Sequence, residues 1–117
     1  MNKRVLVVDD DFANRMLPGL FLRDAGYEVT ECAQAQEAYE WLASQRFSHL
    51  LLDISLPQVS GLEICRRLRQ DPAQAGLRII AYTAHAMPEE IKSFTESGFD
   101  DLLIKPICES DLLKLFA

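Results

Sequence analysis

The stretch His49-Leu50-Leu51-Leu52-Asp53-Ile54-Ser55-Leu56-Pro57, with Gly61 shortly beyond it, decides the fold. An apolar run stops abruptly at a carboxylate, and turn-forming residues follow. A short apolar run bounded by Pro and Gly reads as a buried strand. Asp53 then sits at the strand's carboxyl end, the edge at which open α/β sheets bind ligands. Taken alone, Asp53 reads more simply as a helix cap or a turn former. The segments on either side change that balance.

Upstream, Lys3 to Val8 is a β-branched run that ends in Asp9-Asp10-Asp11, again carboxylates at a strand end. Phe12 to Ala25 follows with apolar residues at Phe12, Met16, Leu17, Leu20 and Phe21, a helical spacing, and Gly26 as its closing residue. Pro18 lies inside this helix and removes the bond to the Asn14 carbonyl, at a cost of about 3 kcal/mol. The expected outcome is one kinked helix, not two. Tyr27 to Glu31 reads as a second strand. Gln34 to Gln45 reads as a second helix with Ala38, Tyr39, Leu42 and Ala43 facing inward and Trp41 partly exposed.

Downstream, Gly61 to Gln70 reads as a third helix, with Leu62, Ile64, Cys65 and Leu68 inward and Arg66, Arg67 and Arg69 outward. Arg78 to Tyr82 is a fourth strand, followed by Thr83-Ala84-His85-Ala86. Pro88 suits the first turn of a fourth helix, Glu89 and Glu90 suit the positive end of its dipole, and Gly98 stops it. Asp101 to Ile104 is a fifth strand ending in Lys105-Pro106, and Glu109 to Phe116 a short last helix. Strand and helix alternate throughout, which specifies a parallel sheet covered by helices on both faces. The expectation is a single α/β domain over residues 1–117: a doubly wound five-stranded sheet of order 2-1-3-4-5 in a three-layer α/β/α sandwich. The shortness of the last helix suggests a piece of something longer.

The bulk numbers agree and exclude much. The chain has 117 residues, 49% of them hydrophobic, which suffices for one real core. No run approaches the ~18 apolar residues of a membrane span. Only Val5 to Val8 is apolar near the N-terminus, short of the ~7–15 residues of a secretory signal, so a cytoplasmic protein without membrane insertion is expected. The net charge of −6 and the lack of a basic stripe argue against direct nucleic-acid binding. Cys32, Cys65 and Cys108 lack the spacing of a zinc or redox pair and read as buried reduced thiols. His49 and His85 are not spaced as a metal pair.

Polar groups recur at the strand ends: Asp9 and Asp10, Asp53, Thr83 and Lys105. In a sheet of order 2-1-3-4-5 the first, third, fourth and fifth strands are contiguous, so these residues converge at the switch point. Three neighbouring carboxylates repel one another, and a divalent cation relieves the repulsion. All-oxygen ligation suits magnesium, with manganese as an alternative. A carboxylate can act as nucleophile toward phosphorus, and phosphoryl transfer needs charge neutralised on the phosphoryl oxygens. Lys105 offers a positive charge, Thr83 a hydroxyl donor, and Ala84 leaves room beside them. Singly, each has a plain structural reading: solvated helix caps for Asp9-Asp10-Asp11 and Thr83, a surface ion pair for Lys105. Their coincidence at one sheet edge favours a shared site.

With these motifs in hand, the sequence resembles the response-regulator receiver domains of two-component signalling. The resemblance rests on Val-Leu-Val-Val-Asp-Asp-Asp, Leu-Leu-Leu-Asp-Ile-Ser-Leu-Pro, Ser-Gly-Leu-Glu, Tyr-Thr-Ala-His-Ala and Leu-Ile-Lys-Pro-Ile, in order along the whole chain. Within the family it is similar to stand-alone receivers of the cell-cycle type and to receivers of hybrid kinases. The resemblance implies a flavodoxin-like (βα)5 fold. It implies that Asp53 accepts a phosphoryl group, forming an aspartyl phosphate, from a sensor histidine kinase or a histidine phosphotransfer protein. It implies magnesium on Asp10 directly, on Asp9 chiefly through water, on Asp53 and on the Ser55 backbone carbonyl. Thr83 and Lys105 would contact the phosphoryl oxygens, and Pro106 would follow a cis peptide bond. Ser55 and His85 would flank the path of hydrolytic water. The donor would dock near Phe12, Asn14, Arg15, Leu17 and the Pro106-Ile107 loop.

Two positions depart from the family pattern. Leu102 stands three residues before Lys105, where an aromatic switch residue is common, and leucine cannot swing a ring in behind Thr83. Ser60 stands where aspartate is common and should cap the third helix equally well. The implied output is a phosphorylation-dependent change in a downstream protein partner at the face of the fourth helix, fifth strand and fifth helix, with a monomer or a phosphorylation-linked dimer as the assembly. A magnesium-dependent metabolite phosphatase using the same nucleophile, and a degenerate receiver that only docks, are the alternatives.

Overall fold

The computed structural model describes residues 3–84 and 86–116. Five parallel strands, β1 (Arg4–Val8), β2 (Glu28–Cys32), β3 (His49–Asp53), β4 (Arg78–Thr83) and β5 (Asp101–Ile104), form one sheet of order β2-β1-β3-β4-β5. Between and after them come α1 (Phe12–Asp24), α2 (Ala35–Ser44), α3 (Gly61–Arg69), α4 (Pro88–Ser97) and α5 (Glu109–Phe116), with a 3-10 turn at Pro72–Gln74. The architecture is the one expected. Each boundary lies within one or two residues of its expected place.

Strand alternation sorts the core into two layers. Val5, Val7, Leu51, Ile80, Tyr82 and Leu103 point to the face covered by α1 and α5, where Leu22, Leu112 and Phe116 meet them. Leu6, Val8, Leu50, Leu52, Ile79 and Ala81 point to the other face, against Ala38 and Leu42 of α2, Ile64, Cys65 and Leu68 of α3, and Phe94 of α4. Leu50, Leu51 and Leu52 are fully buried. At about 1.5–3 kcal/mol for each buried leucine, this central strand anchors both layers.

Several inward and outward assignments need correction. α1 is one continuous helix across Pro18, but its core-facing residues are Pro18, Gly19 and Leu22. Phe12, Met16 and Leu20 form an exposed stripe, 65%, 38% and 53% accessible. A Cβ added at Gly19 would meet the Glu31 carboxylate, Oε2 at 3.0 Å, the movable end of a flexible side chain. Leu17 and Phe21, partly buried, pack beside Leu22 on the same face. Gly26, at φ 96, lies one residue beyond the α1 cap, Ala25. On α2, Ala43 is exposed while Ala35 is buried.

Arg69 is not an outward charge. Its guanidinium donates to the Gly98 carbonyl at 2.9 Å, the Leu77 carbonyl at 2.7 Å and Asp100 Oδ2 at 2.6 Å. A planar five-donor group can satisfy acceptors from three segments at once, which outweighs the preference of a helix-end charge for solvent. Gly98 is where α4 turns back, at φ 106, a conformation that favours glycine. Cys32 and Cys65 are buried as expected, whereas Cys108 is exposed in the loop before α5. Among the described residues, no helix is long and apolar enough to cross a membrane.

Candidate functional site

The carboxyl ends of β1, β3, β4 and β5 assemble the site. Asp9 follows β1 directly and is fully buried. Its Oδ1 accepts the Asp11 N–H at 2.9 Å, which fixes the turn into α1. Asp11 is the N-cap of α1, accepting the Asn14 N–H at 3.0 Å, so of the three consecutive acids it takes the structural role. Asp10, between them, is exposed. Asp53 ends β3, is 4% exposed, and accepts the Ser55 N–H at 3.0 Å.

The β3–α3 turn is compact because residue 61 is glycine. A Cβ there would lie 2.6 Å from the Asp53 carbonyl oxygen and 2.8 Å from Ile54 Cα. Ser60 caps α3 by accepting the Leu62 N–H at 3.1 Å, as expected for the departure from aspartate.

Thr83 ends β4 and is buried, opposite Ile104 of β5. The Lys105 N–H donates to the Thr83 carbonyl at 2.7 Å, and the Lys105–Pro106 bond is cis, as the resemblance implied. From there the Lys105 side chain returns across the sheet edge. Its Nζ lies 2.7 Å from Asp9 Oδ2 and 3.6 Å from Asp53 Oδ1. Ser55 and Ala84 are exposed in the loops after β3 and β4. Leu102 is half-buried in β5, opposite Ala81, and packs on the α2–α3–α4 layer. His85 lies outside the described residues.

The charges are finely matched. Burial pushes the Asp53 carboxyl above its ordinary value; Asp9 and Asp10 add to the rise, while the Ser55 N–H and Lys105 oppose it. Among the described residues, Asp9, Asp10 and Asp53 each offer a carboxylate oxygen, all within 4.8 Å of one another. The buried Asp9 Oδ2 has the Lys105 ammonium at 2.7 Å as its ion-pair partner. Three carboxylates gathered this closely, all hard oxygen donors without nitrogen or sulfur, fit a divalent cation of the magnesium type.

Two residues take roles at the site that the sequence did not suggest: Arg15, expected only at the docking surface, and Tyr82. Arg15 of α1 donates to the Asp9 carbonyl at 2.8 Å and lies 3.9 Å from Glu31 Oε1. Tyr82 of β4 lies beneath Lys105, with Nζ 4.6 Å from its ring centroid. Burial raises the Tyr82 phenol above its usual range, and Asp9, Asp53 and Asp11 raise it further, so its hydroxyl is kept as a donor. In the sequence Tyr82 is indistinguishable from a core residue of a strand, and only proximity to Thr83 hinted otherwise.

The family model of the response regulator receiver domain matches residues 5–117. The chain belongs to this family. This receiver domain is similar to the sensor protein GacS of Pseudomonas syringae pv. syringae, at 37% identity over 115 residues, which are 96% of the chain and 13% of GacS. In structure it is similar to the chemotaxis response regulator CheY4 of Vibrio cholerae, with a TM-score of 0.92 at 29% identity, covering 99% of this chain and 97% of that one. It is also similar to the receiver domain of the sensor histidine kinase PA1611 of Pseudomonas aeruginosa PAO1, with a TM-score of 0.87 at 29% identity, covering 98% and 94%. The PA1611 structure holds a magnesium ion in its active site cleft. The chain is thus a receiver domain of two-component signalling, a signalling domain and not a metabolic enzyme.

Proposed function

We propose that residues 1–117 form a phosphorylation switch in which Asp53 is the phosphoacceptor. The observation that carries this reading is the convergence of the Lys105 ammonium with the carboxylates of Asp9, Asp10 and Asp53 at one strand-end edge. An Asp53 carboxylate oxygen attacks phosphorus, the bond from phosphorus to the donor's imidazole nitrogen breaks, and the electron pair leaves with that nitrogen. Lys105 and the Thr83 hydroxyl hold the phosphoryl oxygens and offset their charge. A magnesium or manganese ion held by Asp9, Asp10, Asp53 and the Ser55 carbonyl supplies further positive charge to those oxygens when bound. The burial that raises the Asp53 carboxyl also excludes water from the nucleophile.

The donor is a sensor histidine kinase or a histidine phosphotransfer protein, in the cytoplasm; the similarity to GacS and to the PA1611 receiver supports a kinase partner. It docks on the exposed α1 stripe and the Pro106-Ile107 loop. Phosphorylation adds about −1.5 to −2 charges. Thr83 moves toward them, and the α4–β5–α5 face, where Met87, Ile91 and Ile104 are exposed, changes its affinity for a downstream protein. With Leu102 in place of an aromatic ring, Thr83 moves without an aromatic rotation behind it.

The test is NMR titration with beryllofluoride, a phosphoryl mimic. With magnesium present, the amides of Thr83, Ala84 and Lys105 should shift, and they should not shift in Asp53→Asn. Equal shifts in that variant would remove Asp53 from the role.

A further inference from the structure

In an α-helix the N–H of each residue donates to the carbonyl four positions back, so Pro18, which has no N–H, deprives the Asn14 carbonyl of its helical donor. The phenol of Tyr82 donates to that same carbonyl at 3.1 Å, across 68 residues of sequence. Tyr82 is only 1% exposed and lies in the otherwise apolar layer beneath α1 and α5. A tyrosine buried there needs a partner for its hydroxyl. The proline exposes an acceptor and the tyrosine supplies the donor; each answers the other's defect. The same ring lies under the Lys105 ammonium, 4.6 Å from its centroid, and that ammonium is the group set against Asp9 and Asp53.

We propose that Tyr82 is a positioning residue for Lys105, anchored to α1 through the Asn14 carbonyl that Pro18 vacates. This inference rests on the reading of Asp53 as phosphoacceptor. The ring fixes the height of the ammonium above the sheet edge, and the phenol ties the ring to α1. A movement of α1, such as one imposed by a protein seated on Phe12, Met16 and Leu20, therefore reaches the cation that meets the phosphoryl oxygens. Phenylalanine at 82 would keep the ring and lose the tether; leucine would lose both.

A double-mutant cycle on the whole chain tests the tether. Restoring the helical N–H with Pro18→Ala gives the Asn14 carbonyl a donor of its own. Measured by urea unfolding in EDTA, Tyr82→Phe should lower the folding equilibrium constant about tenfold in the Pro18 chain and less than about threefold in the Pro18→Ala chain. NMR of the Lys105 ε-methylene tests the positioning. Its ring-current shift should persist in Tyr82→Phe and vanish in Tyr82→Leu, and the limiting rate of phosphorylation by acetyl phosphate should fall about fivefold in Tyr82→Leu. Equal effects of Tyr82→Phe in the two backgrounds, or a Lys105 resonance unmoved in Tyr82→Leu, would overturn the proposal. Labelling that persists in Asp53→Asn would instead overturn the phosphoacceptor reading, and the unfolding and NMR measurements, which need no phosphate, still judge Tyr82.

Discussion

Replacing Asp53 with asparagine should stabilise the metal-free protein, although it deletes the residue at the centre of the proposed function. Lys105 Nζ lies 3.6 Å from Asp53 Oδ1, an attraction of about 4–5 kcal/mol at an effective dielectric constant of ~20. Asp9 lies within 4.8 Å and repels by about 3.5 kcal/mol or more on the same scale. Asp10 adds repulsion from the exposed rim. The charge terms therefore nearly cancel, and desolvation decides the sign. A buried carboxylate costs several kcal/mol to desolvate, of the order of 3 kcal/mol here. The charge-assisted bond from the Ser55 N–H returns about 1.5–3 kcal/mol, and asparagine keeps a neutral version of it. Asp53→Asn should gain about 1–2 kcal/mol, or about 4–8 °C in melting temperature for a domain of this length. Urea and thermal unfolding in EDTA read this directly. Magnesium at ten times its dissociation constant should return about 1.4 kcal/mol to the wild-type chain and less to the variant, narrowing the gap. A variant no more stable than wild type in EDTA, or one stabilised equally by magnesium, would refute the reasoning.

Three further outcomes are expected. Because folding raises the Asp53 carboxyl above its ordinary value of 3.8, the folded state holds the proton more tightly than the unfolded state, and the stability penalty appears as pH rises through the raised value. The advantage of Asp53→Asn in EDTA should thus be absent well below pH 3.8 and grow as pH rises above it, which urea unfolding at a series of pH values will show. Arg69→Met should cost about 2–4 kcal/mol in urea unfolding, because the Gly98 and Leu77 carbonyls and Asp100 lose their donor; Arg69→Lys should recover less than half, since one ammonium cannot span the three acceptors. Cys108 should react with a thiol reagent in the native state, while Cys32 and Cys65, buried and pushed up to about 12 and about 11, should react only on unfolding.

A parallel sheet covered on both faces was legible because strand and helix alternate without interruption, and its strand order came with the resemblance to receiver domains. The placement of Asp9, Asp10, Asp53 and Lys105 followed from that order alone, since a parallel sheet brings all its carboxyl ends to one edge. What escaped were contacts that depend on a partner far away in sequence. Phe12, Met16 and Leu20 have the spacing of a buried helix face, but Pro18, Gly19 and Leu22, with Leu17 and Phe21 beside them, are the residues that meet the sheet. Arg69 reads as a solvated charge until Leu77, Gly98 and Asp100 supply its acceptors. Pro18 reads as a defect to be tolerated until the Tyr82 phenol is found on the carbonyl it leaves open. Cys108 has the composition of a core residue and the position of a loop residue, and position prevails.

The central claim is that Asp53 alone carries the phosphoryl group, and intact-protein mass spectrometry after exposure to acetyl phosphate and magnesium tests it most directly. The expected result is a single phosphoryl addition to the wild-type chain, abolished by EDTA and absent from a folded Asp53→Asn variant. An unlabelled wild-type chain, or the same addition on the variant, would contradict it.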